Sequence, residues 1–250
     1  MLARSADPLR RSLDLPPPYE LVMLRESGDA HARACALAPE KGAGTLVVVG
    51  RYDLVEFAVV LEPEEPLAGA RRAFYAGMAA VADAIAAHCP PEKTLAIRFP
   101  DTFVFDGARV GGARLAWPEA CAEDAVPDWL VFSAMITAAR VGLDEAGFAP
   151  GSTSLEEEGF EGGGQALVES FSRHLMVHLD AWAERGFRPV GEAYLERLPK
   201  ERAADQRLVD GNGDVLVRPG GGGGQTQRLA LEPALAMPSW IDPVSGAPKL

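Results

Sequence analysis

The arrangement of hydrophobic and polar positions predicts a chain of short strands and two long helices. Residues 45–49 and 54–61 are two apolar runs of strand length, separated by a short polar segment. The second run alternates polar and apolar positions where it begins, at Asp53 and Glu56, and then becomes continuously apolar. Continuous apolarity is typical of a strand that is buried on both faces, so we expect residues 54–61 to form a central strand.

Helical periodicity dominates two further segments. In residues 66–88, four large side chains recur at helical spacing on one face: Phe74, Met78, Val81 and Ile85. A second segment, residues 166–185, shows the same periodicity and ends before Gly186. We expect both to be amphipathic helices that back a sheet, and we expect residues 54–61 to pack on the first of them.

A strand, a turn and a second strand occupy the middle of the chain. Residues 94–97 and 103–105 are rich in residues that favour strands, and Asp106-Gly107 is a typical two-residue hairpin turn. Arg109 follows this turn and precedes Gly111 and Gly112. Adjacent glycines allow a ligand or another segment to approach the backbone closely, so this stretch is the first candidate for a binding site.

The positions of prolines and glycines suggest that the chain has four regions. Residues 1–18 end in three prolines and are expected to be a flexible arm, whereas residues 19–198 form the main domain. Residues 199–219 are expected to be a hairpin extension around Gly211-Asn212-Gly213. Residues 220–250 begin with a glycine run and contain several prolines, which predicts a flexible tail.

Composition and charge restrict the classes of function. The 250 residues are 48% hydrophobic and carry a formal net charge of −12, which disfavours nonspecific binding to nucleic acid. No apolar run approaches the roughly 20 residues of a membrane span. The three cysteines are far apart and show no metal-binding spacing. We therefore expect a cytoplasmic protein with reduced thiols, no membrane partner and no nucleic-acid partner.

The order of motifs resembles that of the biotin/lipoate protein ligase family. The signature runs from Ile97-Arg98-Phe99-Pro100-Asp101 through Asp106-Gly107 to Arg109-Val110-Gly111-Gly112. Residues 26–29 (Glu-Ser-Gly-Asp) are similar to the family's segment at the start of its first helix, and residues 186–189 to its C-terminal turn. The resemblance implies an α+β fold: a mixed, mainly antiparallel sheet backed by helices, related to class II aminoacyl-tRNA synthetases, here with a small β-hairpin appendage.

The resemblance also implies a set of site residues. Arg109, Arg98 and Asp101 stand at the family's catalytic positions, and Gly111, Gly112, Ser27 and Arg51 at its substrate-binding positions. Arginine replaces the family's lysine at 98 and 109, and Asp101 replaces an asparagine. Arginine keeps the positive charge and the capacity to stabilise a developing negative charge, but it is not a nucleophile. The alternative is that Asp101 forms a purely structural ion pair with Arg98 or Arg109.

The implied ligand is biotin or a lipoyl-type acyl group, and the implied partner is the lysine of a biotinyl or lipoyl carrier domain. ATP is the family's cofactor, yet the glycine- and arginine-rich nucleotide loop is reduced here to Gly50 and Arg51. We therefore expect weak or no ATP binding. A noncatalytic module that binds an acyl ligand or a carrier domain is the alternative function.

Two other patterns have part of the spacing of a metal site. His174 and His178 are four residues apart on a helix, but no third ligand has a fitting spacing. Residues 210–214 are similar to the first half of a calcium loop, but the glutamate that closes such a loop is replaced by Gly221. We expect a hairpin turn there and no metal site.

Overall fold

The fold is described from a computed structural model that covers residues 13–140, 151–221 and 224–249. Residues 1–12 of the expected arm lie outside the described residues. The arm's remaining part is not detached, because Leu13 and Leu15 pack against the main core. No helix in the described ranges is both long and apolar enough to span a bilayer.

A seven-stranded sheet organises the main domain. Its strands lie in the order β1-β2-β3-β7-β6-β5-β4. Only β1 and β2 are parallel, and every other neighbouring pair is antiparallel. The predicted mixed, mainly antiparallel sheet is therefore confirmed. The strands are β1 (Glu20–Leu24), β2 (Thr45–Val49), β3 (Leu54–Leu61), β4 (Leu95–Arg98), β5 (Thr102–Phe105), β6 (Ala108–Ala116) and β7 (Leu130–Thr137).

Helices cover the two faces of the sheet unequally. The first helix, α1, packs alone on one face, where a small core forms with β2, β3 and β7. The larger core lies on the opposite face under α3, α4 and α5. The helices of the main domain are α1 (Ala30–Lys41), α2 (Leu67–Ala70), α3 (Ala73–Ala86), α4 (Gly163–Arg185) and α5 (Arg188–Arg197).

The helix expected over residues 66–88 is divided into α2 and α3. The helical hydrogen-bond pattern is interrupted at Arg71 and Arg72, which both keep right-handed helical backbone angles, and Arg71 is 4% exposed although it is charged. Its guanidinium donates to the Glu123 carboxylate at 2.6 Å and lies 4.8 Å above the Trp117 ring. These tertiary contacts hold Arg71 inward, and helical periodicity in the sequence contains no sign of them.

The predicted apolar face of α3 is buried, as expected. Phe74, Met78, Val81 and Ile85 are all inaccessible to solvent. Their packing differs in one respect from the prediction. The ring that packs on β3 belongs to α4, since the ring centroids of Phe171 and Phe57 are 4.5 Å apart. Phe74 of α3 instead faces Phe132 of β7, with 6.0 Å between the ring centroids.

A second, three-stranded sheet follows the main domain. The expected hairpin consists of β8 (Gln206–Val209) and β9 (Val215–Arg218), and β10 (Gln227–Leu229) pairs with β9. The Asp210 carboxylate accepts the backbone N–H groups of Asn212 and Asp214, each at 2.9 Å, so it closes the hairpin turn.

The expectation of a flexible tail over residues 220–250 needs correction. The stretch contains β10 and a short helix, α6 (Leu231–Leu235), and Leu231 and Trp240 are completely buried. The physical reason is that single large apolar residues between prolines can anchor a segment without any periodicity. The proposed domain boundaries themselves stay a prediction.

Candidate functional site

The signature forms a compact double turn at one edge of the site. β4 and β5 are joined by a tight connection at residues 99–101, and β5 and β6 by the predicted Asp106-Gly107 turn. Asp106 and Gly107 both have positive φ, 46° and 85°, as a type I′ hairpin turn requires. The Ala113 N–H donates to the Asp101 carbonyl at 2.9 Å, so the first connection is docked on β6.

Arg109 occupies an irregular part of β6. The register with β5 shifts between Phe103 and Val104, and the backbone of Arg109 bonds to residues 151 and 153 on its other side. The guanidinium donates from Nη1 to the Lys249 carbonyl at 2.8 Å, whereas its buried Nε has no hydrogen-bond partner. Partial burial, and secondly the nearby positive charge of Arg98, lower the pKa of Arg109. Arg109 is therefore a cation whose donors are incompletely used.

Arg98 and Asp101 do not form the structural ion pair that the sequence left open. Arg98 is exposed and donates to the Gly107 carbonyl at 3.2 Å. Asp101 is 1% exposed and accepts a hydrogen bond from the Thr102 hydroxyl at 2.9 Å. Burial raises the pKa of Asp101 to about 6, although hydrogen bonds from Thr102 and Trp240 oppose the shift. Within the described ranges, neither Arg98 nor Arg109 pairs with Asp101.

Gly111 and Gly112 permit close approach on β6, as predicted. A Cβ atom on Gly111 would lie 2.1 Å from the Met135 carbonyl oxygen, so this glycine allows the neighbouring strand to approach. A Cβ atom on Gly112 would lie 2.4 Å from the Trp240 ring. The indole Nε1 donates to the Ala113 carbonyl at 3.3 Å. Space for a flat ring therefore exists over Gly112, and Trp240 fills it.

Among the described residues, no hydrogen bond or ion pair joins Arg51 or Ser27 to Arg109. Arg51 donates to both carboxylate oxygens of Asp53, at 3.1 and 2.7 Å, and this interaction raises the pKa of Arg51. Arg51 lines a cavity of about 740 Å³ whose other walls include Asp242, Ser245, Ala247, Pro248 and Lys249. Ser27 is exposed in the turn before α1, and Asp29, not Ser27, caps that helix by accepting the Ala32 N–H at 2.8 Å.

Sequence reasoning missed a group of polar side chains on the face of the sheet that α1 covers. Strand alternation and register place Glu56, Arg114 and Ser133 on this face, which Gly112 shares. Glu56 accepts the Ala30 N–H at 2.6 Å, and the Ser133 hydroxyl lies 2.8 Å from Nδ1 of His31. We call Glu56, Arg114, Ser133 and His31 the polar strip.

The electrostatics of the polar strip favour a neutral histidine and an available arginine. Burial, and secondly Arg114, lower the pKa of His31 to about 4, so the imidazole is neutral at pH 7. Burial also lowers the pKa of Arg114, while Asp29 and Glu56 oppose that shift. In the part of the chain that is described, Arg114 makes no hydrogen bond or ion pair. Its donors are therefore free to bind a ligand on the sheet.

One signal in the sequence pointed to this strip. Glu56 interrupts an otherwise apolar strand, and Arg114 interrupts β6 in the same manner. A charge inside a buried strand requires either a partner or a function. No comparable signal marks Trp240, because a lone tryptophan among prolines carries no periodic pattern.

The histidine pair on α4 has a structural explanation. His178 Nε2 lies 2.8 Å from the Asp83 carboxylate, which also accepts from Arg197 at 2.8 Å. This network joins α3, α4 and α5. No cluster of three or more metal-ligating side chains occurs among the residues that the structure describes.

Solved structures share the fold at low sequence identity. A biotin protein ligase-like protein of unknown function from Silicibacter sp. TM1040 has a TM-score of 0.73 and 24% identity, covering 88% of this chain and 97% of that chain. A biotin protein ligase variant from Aquifex aeolicus in complex with biotin has a TM-score of 0.62 and 14% identity, covering 86% and 97%. The biotin protein ligase from Leishmania major in complex with biotin has a TM-score of 0.54 and 15% identity, covering 87% of this chain and 100% of that chain.

The family itself is identified by a sequence model rather than by a single relative. A search of curated proteins gives no match. The model of the biotin/lipoate A/B protein ligase family matches residues 15–196, which is most of the chain and includes the complete signature. The fold, the hairpin signature and this match agree, and the chain belongs to the biotin/lipoate A/B protein ligase family.

Proposed function

We propose that this protein binds a biotin- or lipoyl-type carboxylic acid on the α1 face of its sheet and transfers the acyl group to a carrier-domain lysine. The observation that carries the proposal is that Arg109 and Gly112 lie three residues apart on the same strand, β6. A partly buried guanidinium with unused donors suits a carboxylate or an activated acyl group. Gly112 has no side chain, so its backbone leaves the space for a flat ring that the Trp240 indole occupies in this structure.

The polar strip supports a ligand with polar atoms at its far end. Arg114 lies five residues along β6 from Arg109, and because the register shift adds one residue to this stretch, the separation corresponds to about four regular steps, or about 13 Å of strand. An extended acyl chain of that approximate length would place its polar group near Arg114, Ser133 and Glu56. Because Arg114 supplies donors and Glu56 supplies an acceptor, a ureido or amide-like group suits this end better than a bare alkyl chain.

The test is titration calorimetry of the full chain with biotin, lipoate and octanoate. We expect Arg109→Ala to weaken binding ten- to a hundredfold, since a charge-assisted hydrogen bond contributes about 1.5–3 kcal/mol. Arg109→Lys should retain much of the affinity because the charge remains. Arg188→Ala is the matched control, since Arg188 is an exposed arginine on α5 that forms an ion pair with Glu192.

Two results would count against the proposal. If Arg109→Ala binds each acid as the parent does, the carboxylate is not held at Arg109. If the parent binds the acid but neither exchanges labelled pyrophosphate into ATP nor accepts a preactivated acyl thioester, transfer is lost and the noncatalytic binding module is the better function.

A further inference from the structure

Residues 239–249, which we call the strap, form a closed loop over the proposed site. The Lys249 N–H donates to the Trp240 carbonyl at 2.8 Å, and Ile241 and Pro248 form an isolated bridge inside this closure. The Asp242 N–H donates to the Ala247 carbonyl at 2.8 Å. The strap is thus a compact unit with its own hydrogen bonds, and it does not depend on the sheet for its shape.

The strap contacts the sheet at the two features that the proposed ligand uses. Trp240 is completely buried over Gly112, against Leu54 and Met135. The carbonyl of Lys249 accepts the hydrogen bond from Arg109 Nη1. A backbone carbonyl oxygen is a neutral counterpart of a carboxylate oxygen, and an indole is a flat ring. The strap therefore satisfies the same ring and oxygen positions that an acyl ligand would.

The attachment of the strap is suited to movement as a unit. Its tip is exposed, with Val244 94% accessible, and Met237, two residues before the strap, is 77% accessible. Besides Trp240, only Ile241 of the strap packs on the apolar cluster formed by Leu54 and Met135. Release of the Trp240 ring, the buried Pro248 and the Lys249 carbonyl would free the strap while its internal hydrogen bonds persist.

We infer that the strap is an intramolecular gate, which excludes the acyl ligand when closed and must leave Gly112 and Arg109 before the ligand enters. The inference rests on the proposed function, because it names the regulation of the same site. In such a two-state equilibrium the apparent dissociation constant is the intrinsic constant divided by the open fraction. Weakening the closed state therefore tightens ligand binding.

The first experiment compares acyl-probe affinity between variants of the full chain. With biotin, lipoate and octanoate as probes, Trp240→Ala should tighten binding at least tenfold, and Trp240→Phe should give a smaller gain. Met237→Ala, an exposed residue just before the strap, should bind as the parent. Equal or weaker binding by Trp240→Ala, in protein whose circular dichroism matches the parent, would overturn the gate, because Trp240 would then be part of the ligand's pocket.

The second experiment follows hydrogen exchange of the Trp240 indole N–H, which donates to the Ala113 carbonyl and therefore reports the contact between the strap and the sheet. A gate predicts that this proton exchanges faster than the backbone amides of β7 in the parent, and faster still with saturating probe. Slower exchange with probe, or exchange at the rate of β7, would overturn the inference. If no probe binds any variant, the proposed function fails, and the comparison with β7 alone decides whether the strap opens.

Discussion

At the scale of single residues, the site contains charges whose surroundings alter their protonation. Asp101 is the clearest example, since it is buried and no cation among the described residues pairs with it. Burial lowers the pKa values of His31 and Arg114, which is the direction that favours the neutral form of a base. These shifts indicate that the face under α1 is poorly solvated, although it is built partly from charged side chains.

Asp101 makes stability depend on pH in a predictable direction. Burial raises its pKa to about 6 from an ordinary value of 3.8, so the folded state holds a proton more tightly than the unfolded state. The protonated Asp101 therefore contributes fully to the free energy of unfolding below pH 4, and this contribution is lost as the pH rises through 6. Relative to the parent, the free energy of unfolding of Asp101→Asn should rise by about 2–3 kcal/mol between pH 4 and pH 7, as measured by urea unfolding.

The comparison between the two pH values removes any constant effect of the substitution itself. Asp128→Asn, at an exposed position, is the matched control and should show no such gain. A difference between parent and Asp101→Asn that stays constant from pH 4 to pH 7 would mean that Asp101 does not titrate in this window.

At the scale of elements, the stability of the domain depends on α3 and the strands beneath it. Phe74 is completely buried and lies 6.0 Å from the ring of Phe132. Phe74→Ala should therefore reduce the free energy of unfolding by about 3–5 kcal/mol, because it leaves a cavity in the main core. Val177→Ala, at a 61% exposed position on α4, should change it by less than about 0.5 kcal/mol. A loss below about 1 kcal/mol for Phe74→Ala would contradict the assigned packing.

Elements with a strong local pattern were predictable from the sequence. The bounds of β3 agree with the predicted apolar run, and the Asp106-Gly107 turn has the predicted backbone geometry. The break between α2 and α3 was not predictable, because it depends on Arg71 finding Glu123 and Trp117 far along the chain. Local pattern fixes an element's type, but tertiary partners decide where it is interrupted.

The candidate site was predictable to the extent that it lies in one continuous motif. Arg109, Gly111 and Gly112 were identified because they follow each other on β6. The polar strip combines residues of three strands and α1, so its existence depends on register that no local pattern encodes. Trp240 reaches Gly112 from 128 positions away, and such a contact is visible only after folding.

At the scale of the whole molecule, the question is whether the protein can activate an acid with ATP. Arg51 is engaged by both oxygens of Asp53, and Gly50 is the only glycine of the shortened loop. We expect no ATP binding at micromolar concentration by calorimetry. Asp53→Asn releases the charge of Arg51 and should raise nucleotide affinity, yet it restores only one of the family's phosphate ligands. Micromolar binding of ATP by the parent would refute this prediction.

The arginines of the signature have a chemical consequence for a protein that handles activated acyl groups. A lysine beside an acyl-adenylate or thioester carries an amine that is acylated whenever it loses its proton. Arginine stays protonated in proteins and is not a nucleophile, so Arg98 and Arg109 are inert toward such a reagent. Lys249, whose carbonyl binds Arg109, has its own amine hydrogen-bonded to the Ser239 carbonyl at 2.6 Å. Under the proposed function, arginines at these two positions would avoid self-acylation and leave the activated carbon for an amine that arrives from outside.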